Sequence, residues 1–440
     1  MEKIAPPPAP AFRAALVFWL RLGFISFGGP AGQIAIMHDF LVDKKRWISP
    51  SKFFHALNYC MLLPGPEAQQ LATYTGWMLH GTRGGLAAGI LFVLPSTIIL
   101  WALSALYVTY GGIPAVQAVF EFLKPAVVAV VAGAIAKIGK KSLTGPLYYA
   151  VAAAAFVAIY FLNVPFPAII VAAILIGVAA HFGFSGRKSY GSSSGPDDEE
   201  AGYLINSGVV VAGSGFSTPR LLRQTGVFVL LWLLPFALFY VAAEDFGFWK
   251  RLSLFFSQAA FVTFGGAYAV LPYVAQVSVE RFAWLSRLEM LDGLALGETT
   301  PGPLIMVLAF VGFMAGYNTS GGSLPAATAG LATTVYYTFL PSFLLIFIGA
   351  PLIERTRTNP AVNAVLRFAT AAVTGVILSL CLYLGRAVVL PDPPSVRWLA
   401  LAWVIASLAA LQYFKVNLTT WIGASVAAGL LKFSLLFLCR

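Results

Sequence analysis

Phe24-Ile-Ser-Phe-Gly-Gly29 is answered later in the chain by Phe261-Val-Thr-Phe-Gly-Gly266, and Pro64-Gly-Pro66 by Pro301-Gly-Pro303. Trp47-Ile-Ser49 pairs in the same way with Trp284-Leu-Ser286, and Gly84-Gly85 with Gly321-Gly322. All four pairs lie 237 positions apart, ungapped. Four signatures at one offset mark an internal repeat, so the chain reads as two copies of one structural unit. Leu94-Pro-Ser96 and Leu340-Pro-Ser342 continue the match at 246, so the second copy gains nine residues on the way.

The residues around these signatures decide the solvent. Of 440 residues 59% are hydrophobic and only 10% charged, and the mean hydropathy is +0.83. A soluble domain carries about 25% charged residues, so this chain lacks the charge to cover a surface facing water. Runs such as 148–162, 168–182, 227–243, 396–414 and 421–438 approach the ~20 apolar residues of a membrane-spanning helix. The 41 glycines and 27 prolines fall inside such runs, where in membrane bundles they mark broken helices. The fold class is therefore an all-α polytopic membrane protein whose two homologous halves form an inverted repeat with broken helices. About thirteen membrane segments are expected: 12–37, 53–79, 85–109, 115–138, 144–162, 166–183, 224–243, 249–277, 288–316, 325–352, 361–385, 396–414 and 417–438, the second and ninth interrupted. Residues 1–185 form the first repeat, 186–247 a polar linker plus an extra helix, and 248–440 the second repeat. The linker is Gly/Ser-rich and charged, with an acidic run at 192–200, and reads as solvated. The opening ten residues lack the apolar core of a signal peptide and read as a tail.

Six segments, one extra helix and six more make the second repeat enter the bilayer from the opposite side. Cytoplasmic loops collect Lys and Arg. With the N-terminus inside, Lys137, Lys140, Lys141, Arg187, Lys188, Arg220, Arg223, Arg355 and Arg357 fall in the cytoplasm, while Glu244, Asp245 and residues 391–394 fall outside. One loop disagrees, since Lys44, Lys45, Arg46 and Lys52 would lie outside. Either that loop is an exception or residues 24–37 form a re-entrant hairpin.

The repeated motifs carry the chemistry. Pro64 and Pro66 lack donors and interrupt a helix, and Pro66 is suited to open the next one. A helix start exposes backbone N–H groups and a partial positive charge, which bind an oxyanion without a lysine. Thr299-Thr300-Pro301-Gly302-Pro303 supplies a second such start. Phe27-Gly28-Gly29 and its copy at Gly265-Gly266 let neighbouring helices unwind and backbones approach. The bland alternative is ordinary kinks. Within the apolar stretches Arg21, Lys124 and Arg367 are candidate anion ligands, against snorkelling or helix-end roles. Glu67 either stabilises a helix start or couples protons, because an ionised carboxylate repels an anion. Asn58, Gln69, Gln70, Thr299 and Thr300 are neutral donors. Cys60, Cys381 and Cys439 read as small hydrophobes, and His38, His55, His80 and His181 have no metal spacing. No catalytic motif, P-loop or dinucleotide fingerprint is present, so an enzyme, a metal site, a cofactor and an ATP-driven pump find no support. The net charge of +11 is scattered over helix ends and does not read as a nucleic-acid surface.

FGGPAGQIAIMH (27–38), RWIS (46–49), NYCMLLPGPEAQQLATYTGW (58–77) and FVLPS (92–96) resemble the chromate ion transporter family. The second half adds FVTFGGAYAVLPYV (261–274) and LDGLALGETTPGPLIMVLAFVGFMAG (291–316), as in that family's long two-domain form. The resemblance implies oppositely oriented halves and export of chromate across a bacterial inner membrane as a multi-pass protein. Sulfate is also a tetrahedral dianion, and no residue pattern separates the two, so a transporter of sulfate or another oxyanion is the alternative, with an anion channel or an intramembrane enzyme more remote. The lipid bilayer is the remaining partner; both a monomer and a homodimer fit the sequence.

Overall fold

A backbone in lipid must satisfy its own N–H and C=O groups, and helices do so. The computed structural model describes residues 6–27, 29–183, 202–206, 217–264, 266–353, 360–391 and 395–438. Among them there are sixteen α-helices and no strand. The first half holds α1 (Phe12–Ile25), α2 (Gly29–His38), α3 (Pro50–Cys60), α4 (Glu67–Tyr110), α5 (Pro114–Ser142), α6 (Pro146–Tyr160) and α7 (Phe166–Gly183). After α8 (Thr218–Ala242) come α9 (Phe246–Phe261), α10 (Ala267–Ala275), α11 (Arg287–Thr299), α12 (Val307–Thr319), α13 (Leu324–Ile353), α14 (Pro360–Val389), α15 (Trp398–Leu408) and α16 (Leu418–Leu438). α4, α5, α8, α13, α14 and α16 are long and apolar enough to cross a membrane. The acidic run at 192–200, Arg187, Lys188, Arg355, Arg357 and Cys439 lie outside the described residues.

The repeat extends to the backbone. α2 and α10 each run on into a wide π turn, Asp39–Lys44 and Gln276–Arg281. Left-handed backbone follows at Arg46 (φ 51°) and Ala283 (φ 48°), and Ser49 and Ser286 cap the next helices. Positive φ recurs at Gly29 and Gly266, and at Gly65 and Gly302. Each pair is 237 apart, like the signatures.

Residues 12–37, expected as one crossing, are instead a hairpin. The ring of Phe18 lies 6.2 Å from Phe40 and 4.9 Å from Trp47. In a continuous helix Phe18 and Phe40 would stand about 33 Å apart. The cause is the break before Gly29, whose φ of +66° reverses the chain where a β-carbon would be strained. The stretch 249–277 turns back likewise, with Phe255 5.8 Å from Phe282 and 5.6 Å from Trp284. Because α1 and α2 return together, the Lys44–Arg46 loop shares the face on which α1 begins. Linker residues dock on that loop: Ser49 N–H donates to Ile205 C=O at 2.8 Å and Ile205 N–H to Trp47 C=O at 3.0 Å. The basic loop that the crossing count put outside thus joins the linker's side.

α4 reverses as well. His80 (φ −139°) and Gly81 (φ +63°) leave the helical region, so 67–79 folds back on 82–110. Small residues let the arms touch: a β-carbon added to Gly76 would lie 2.5 Å from Gly84 O and from Ala88 Cβ. α12 and α13 repeat this contact through Gly312 and Gly330, where an added β-carbon on Gly312 would meet Gly330 O at 2.6 Å. Such small-residue seams hold helices together in lipid, where the hydrophobic effect between helices is absent. α8 buries no residue. It is held by Trp232 Nε1–H donating to Ser257 Oγ at 2.9 Å and Tyr337 O–H donating to Trp232 C=O at 2.9 Å.

Candidate functional site at four helix breaks

The two Pro-Gly-Pro breaks and the two Phe-Gly-Gly breaks meet, each with the partner from the other half. Gly65 N–H donates to Thr263 C=O at 2.8 Å, and Gly302 N–H donates to Ser26 C=O at 2.7 Å. The glycines stand at φ +122° and +107°, a region that side-chain-bearing residues avoid. Gln70 Nε2 donates to Pro64 C=O at 2.8 Å, and Gln33 Nε2 donates to Gly302 C=O.

The Leu-Pro-Ser motifs close the junction. A β-carbon on Gly65 would overlap the Ser342 hydroxyl, and one on Gly302 would lie 2.9 Å from Ser96 Oγ. Each serine therefore presses on the glycine of the opposite half. Both serines are buried, and among the described residues neither hydroxyl finds a hydrogen-bond partner. The same holds for Gln69 Oε1, Gln70 Oε1 and Thr338 Oγ1. Buried polar atoms are normally paired, and Ser96, Ser342 and Gln70, each with an unpaired atom beside Gly65 or Gly302, make the junction the candidate site.

Charge here comes mainly from backbone. Pro66 opens α4 and Pro303 opens the 304–306 turn leading to α12, and neither helix start is capped by a side chain. The first N–H groups of those turns have no acceptor within the helix, and the helix dipole points its positive end at the junction. Glu67, 9% exposed, is the first residue of α4, and an added β-carbon on Gly266 would be 3.9 Å from its Oε1. Its counterpart 237 residues on is Leu304, so the carboxylate has no twin.

The remaining sequence candidates divide. Pro64, Gly65, Pro66, Pro301, Gly302, Pro303, Gly29, Gly266, Gln69 and Gln70 belong to the junction, and Phe27 borders it, 38% exposed. Gly28 and Gly265 lie outside the described residues. The Gly65 and Gly302 N–H groups are taken by the opposite half, which leaves the turns after Pro66 and Pro303 as the free donors. Thr299 and Thr300 donate back to Leu296 C=O at 2.7 Å and Gly297 C=O at 3.0 Å. Arg21, Asn58 and Arg367 face outward from the packed core. Lys124 sits 3.1 Å from Asp292 Oδ1 rather than at the junction. Ser26, Gln33, Ser96, Thr263 and Ser342 are absent from the sequence candidates, although the Leu-Pro-Ser pair already stood in the repeat.

Comparison with known proteins follows the same two halves. A family profile described as Chromate transporter matches residues 13–178 and 250–430. A chromate transport protein of Pseudomonas aeruginosa is 30% identical over 98% of this chain and 94% of its own length. One from Cupriavidus metallidurans is 27% identical over 98% and 95%. A probable chromate transport protein of Synechococcus elongatus is 29% identical over 86% of each chain. No solved structure matches.

Proposed function

Since the chain belongs to the chromate transporter family, we propose that it is a secondary transporter exporting chromate across the bacterial inner membrane, its two halves inverted copies with the linker in the cytoplasm. The observation that carries this reading is the junction of four helix breaks, lined by unpaired hydroxyls and two uncapped helix starts. A tetrahedral dianion needs donors on several sides. The Ser96 and Ser342 hydroxyls supply two from opposite halves, and the turns after Pro66 and Pro303 supply more. The junction attracts mainly through backbone and hydroxyl dipoles, graded enough to release the anion again. The reciprocal bonds, Gly65 to Thr263 and Gly302 to Ser26, suit a device in which the halves exchange places about a fixed centre.

The sign of the charge favours export. A dianion leaving an inside-negative cell gains about 4.6 kcal/mol per 100 mV, enough to sustain an outward gradient on the order of a thousandfold. Uptake would climb the same hill and need coupled cations or protons. The test is transport by purified protein in liposomes of defined potential, with chromate and sulfate in competition. Chromate flux that sulfate competes with only weakly supports the reading; sulfate flux with chromate excluded replaces it with a sulfate transporter. Absence of any oxyanion flux in protein that retains its fold overturns it.

A further inference from the structure

A cavity of about 930 Å³ opens at the end of α4 remote from His80, between α5, α11, α15 and α16. At its inner end Lys124 Nζ stands 3.1 Å from Asp292 Oδ1, with side chains 21% and 5% exposed. Tyr107 O–H donates to Asp292 Oδ2 at 2.9 Å. The ammonium faces Oδ1 without the alignment of a good hydrogen bond, and the Phe120 ring backs it at 5.8 Å. Nearer the mouth, Lys432 donates to Glu121 at 2.6 Å, and Glu289 and Arg397 line the wall. Asp292 lies nine residues before Pro301 on the helix that leads to the junction. The pair stands on the side of the cavity from which α11 runs on to Pro301.

A carboxylate is itself an oxyanion. Here one cation and one hydroxyl converge on its two oxygens, which is the donor set that would hold two oxygens of a tetrahedral dianion. A buried ion pair contributes little net stability, because desolvating both charges offsets their attraction. Competition for the pair gives it a use. We propose that Lys124 and Tyr107 form a second oxyanion station between the junction and the outer face, which Asp292 occupies whenever no substrate does. The departing anion displaces Asp292 from Lys124, and the returning carboxylate expels the anion and closes the way back. The proposal rests on the transport reading above for its direction, but its test does not require transport.

Two measurements on the full-length purified protein decide it, with sulfate and chromate as probes. Asp292→Asn is tested in a Ser96→Ala/Ser342→Ala background, which removes the junction hydroxyls. Titration calorimetry should then show probe affinity rising on the order of tenfold with loss of the competing carboxylate. Adding Lys124→Gln should abolish the gain, and Tyr107→Phe should reduce it. No gain, or a gain that survives Lys124→Gln, overturns the station. The second measurement uses the wild-type chain, so folding of a variant does not enter. Saturating sulfate should protect Lys124, but not Lys432, from an amine-acylating reagent read by peptide mass spectrometry. Equal acylation of Lys124 with and without sulfate overturns the proposal. A wild-type protein that moves no chromate, yet shows this protection, would refute the transport reading and leave the station standing.

Discussion

Ser96 and Ser342 differ from many of the hydroxyls buried in these helices. Ser104, Thr73, Thr75 and Ser257 each donate to the carbonyl four residues back, the usual refuge of a hydroxyl in lipid. Ser96 and Ser342 do not. Replacing either with alanine should weaken chromate binding about ten- to hundredfold, the worth of a hydrogen bond to a charged group. Thermal stability should hold, because no protein partner is lost. Equal binding by well-folded alanine variants would remove both serines from the site. Glu67→Gln addresses the carboxylate at the helix start. An ionised Glu67 repels a dianion at the junction, so wild-type binding should strengthen as pH falls. The glutamine variant should bind at high pH as well as the wild type does at low pH, giving a flat profile; an unchanged profile would leave Glu67 as a helix-start residue only. At this scale the sequence was half legible. Proline and glycine announce a broken backbone by their own geometry, so the junction residues stood out. The serines did not, because a serine in an apolar run is ordinary until its neighbours across the repeat are known. Arg21 and Arg367 stood out for their charge, yet they face away from the core.

The hairpins at 12–37 and 249–277 turn on glycines whose role as breaks is visible, whereas reversal of direction is not. Gly29 and Gly266 read as points of unwinding; that the chain doubles back follows only from Phe18 against Trp47 and Phe255 against Trp284. The reversal at His80-Gly81, by contrast, fell in the gap between two expected segments. Labelling separates the two readings of residues 12–37. Lys44, Arg83 and Arg281 are exposed and suit single-cysteine substitution in a cysteine-free background. With α1 and α2 as a hairpin, Lys44→Cys and Arg83→Cys should both react from the cytoplasmic face. A crossing at 12–37 would put them on opposite faces. Arg281→Cys, the repeat counterpart of Lys44, should react from outside, and its labelling on the Lys44 side would end the inverted-repeat assignment.

For the whole molecule, the placing of charge sets the energetics of transport. The junction offers backbone and hydroxyl donors, with Glu67 at one helix start and Glu298 nearby on Tyr268, so the bound dianion is not neutralised by the site. Its movement should carry current. Chromate efflux from liposomes should register as net outward negative charge, and it should slow severalfold when the potential is clamped at zero. Flux indifferent to potential would require an exchange that balances both charges. The hydropathy and the 237-residue register made the membrane class and the twofold plan readable from sequence, because both are carried by many residues at once. The pairing of each break with its opposite number was not readable, since it joins residues 198 and 276 positions apart, Gly65 with Thr263 and Ser26 with Gly302.

Those two separations also set a timetable for biogenesis. A ribosome adds about 5–20 residues per second. The Ser26 carbonyl therefore waits roughly 15 to 55 seconds for Gly302 to be synthesised, and the Gly65 amide some 10 to 40 seconds for Thr263. Through that interval the first half lies in the bilayer with its polar tips unmated, a load that unaided lipid tolerates poorly. On this timetable the first half depends on shelter until its second half arrives, and chains cut short between residues 80 and 260 should be degraded faster than the full chain, which a pulse-chase of truncated chains checks.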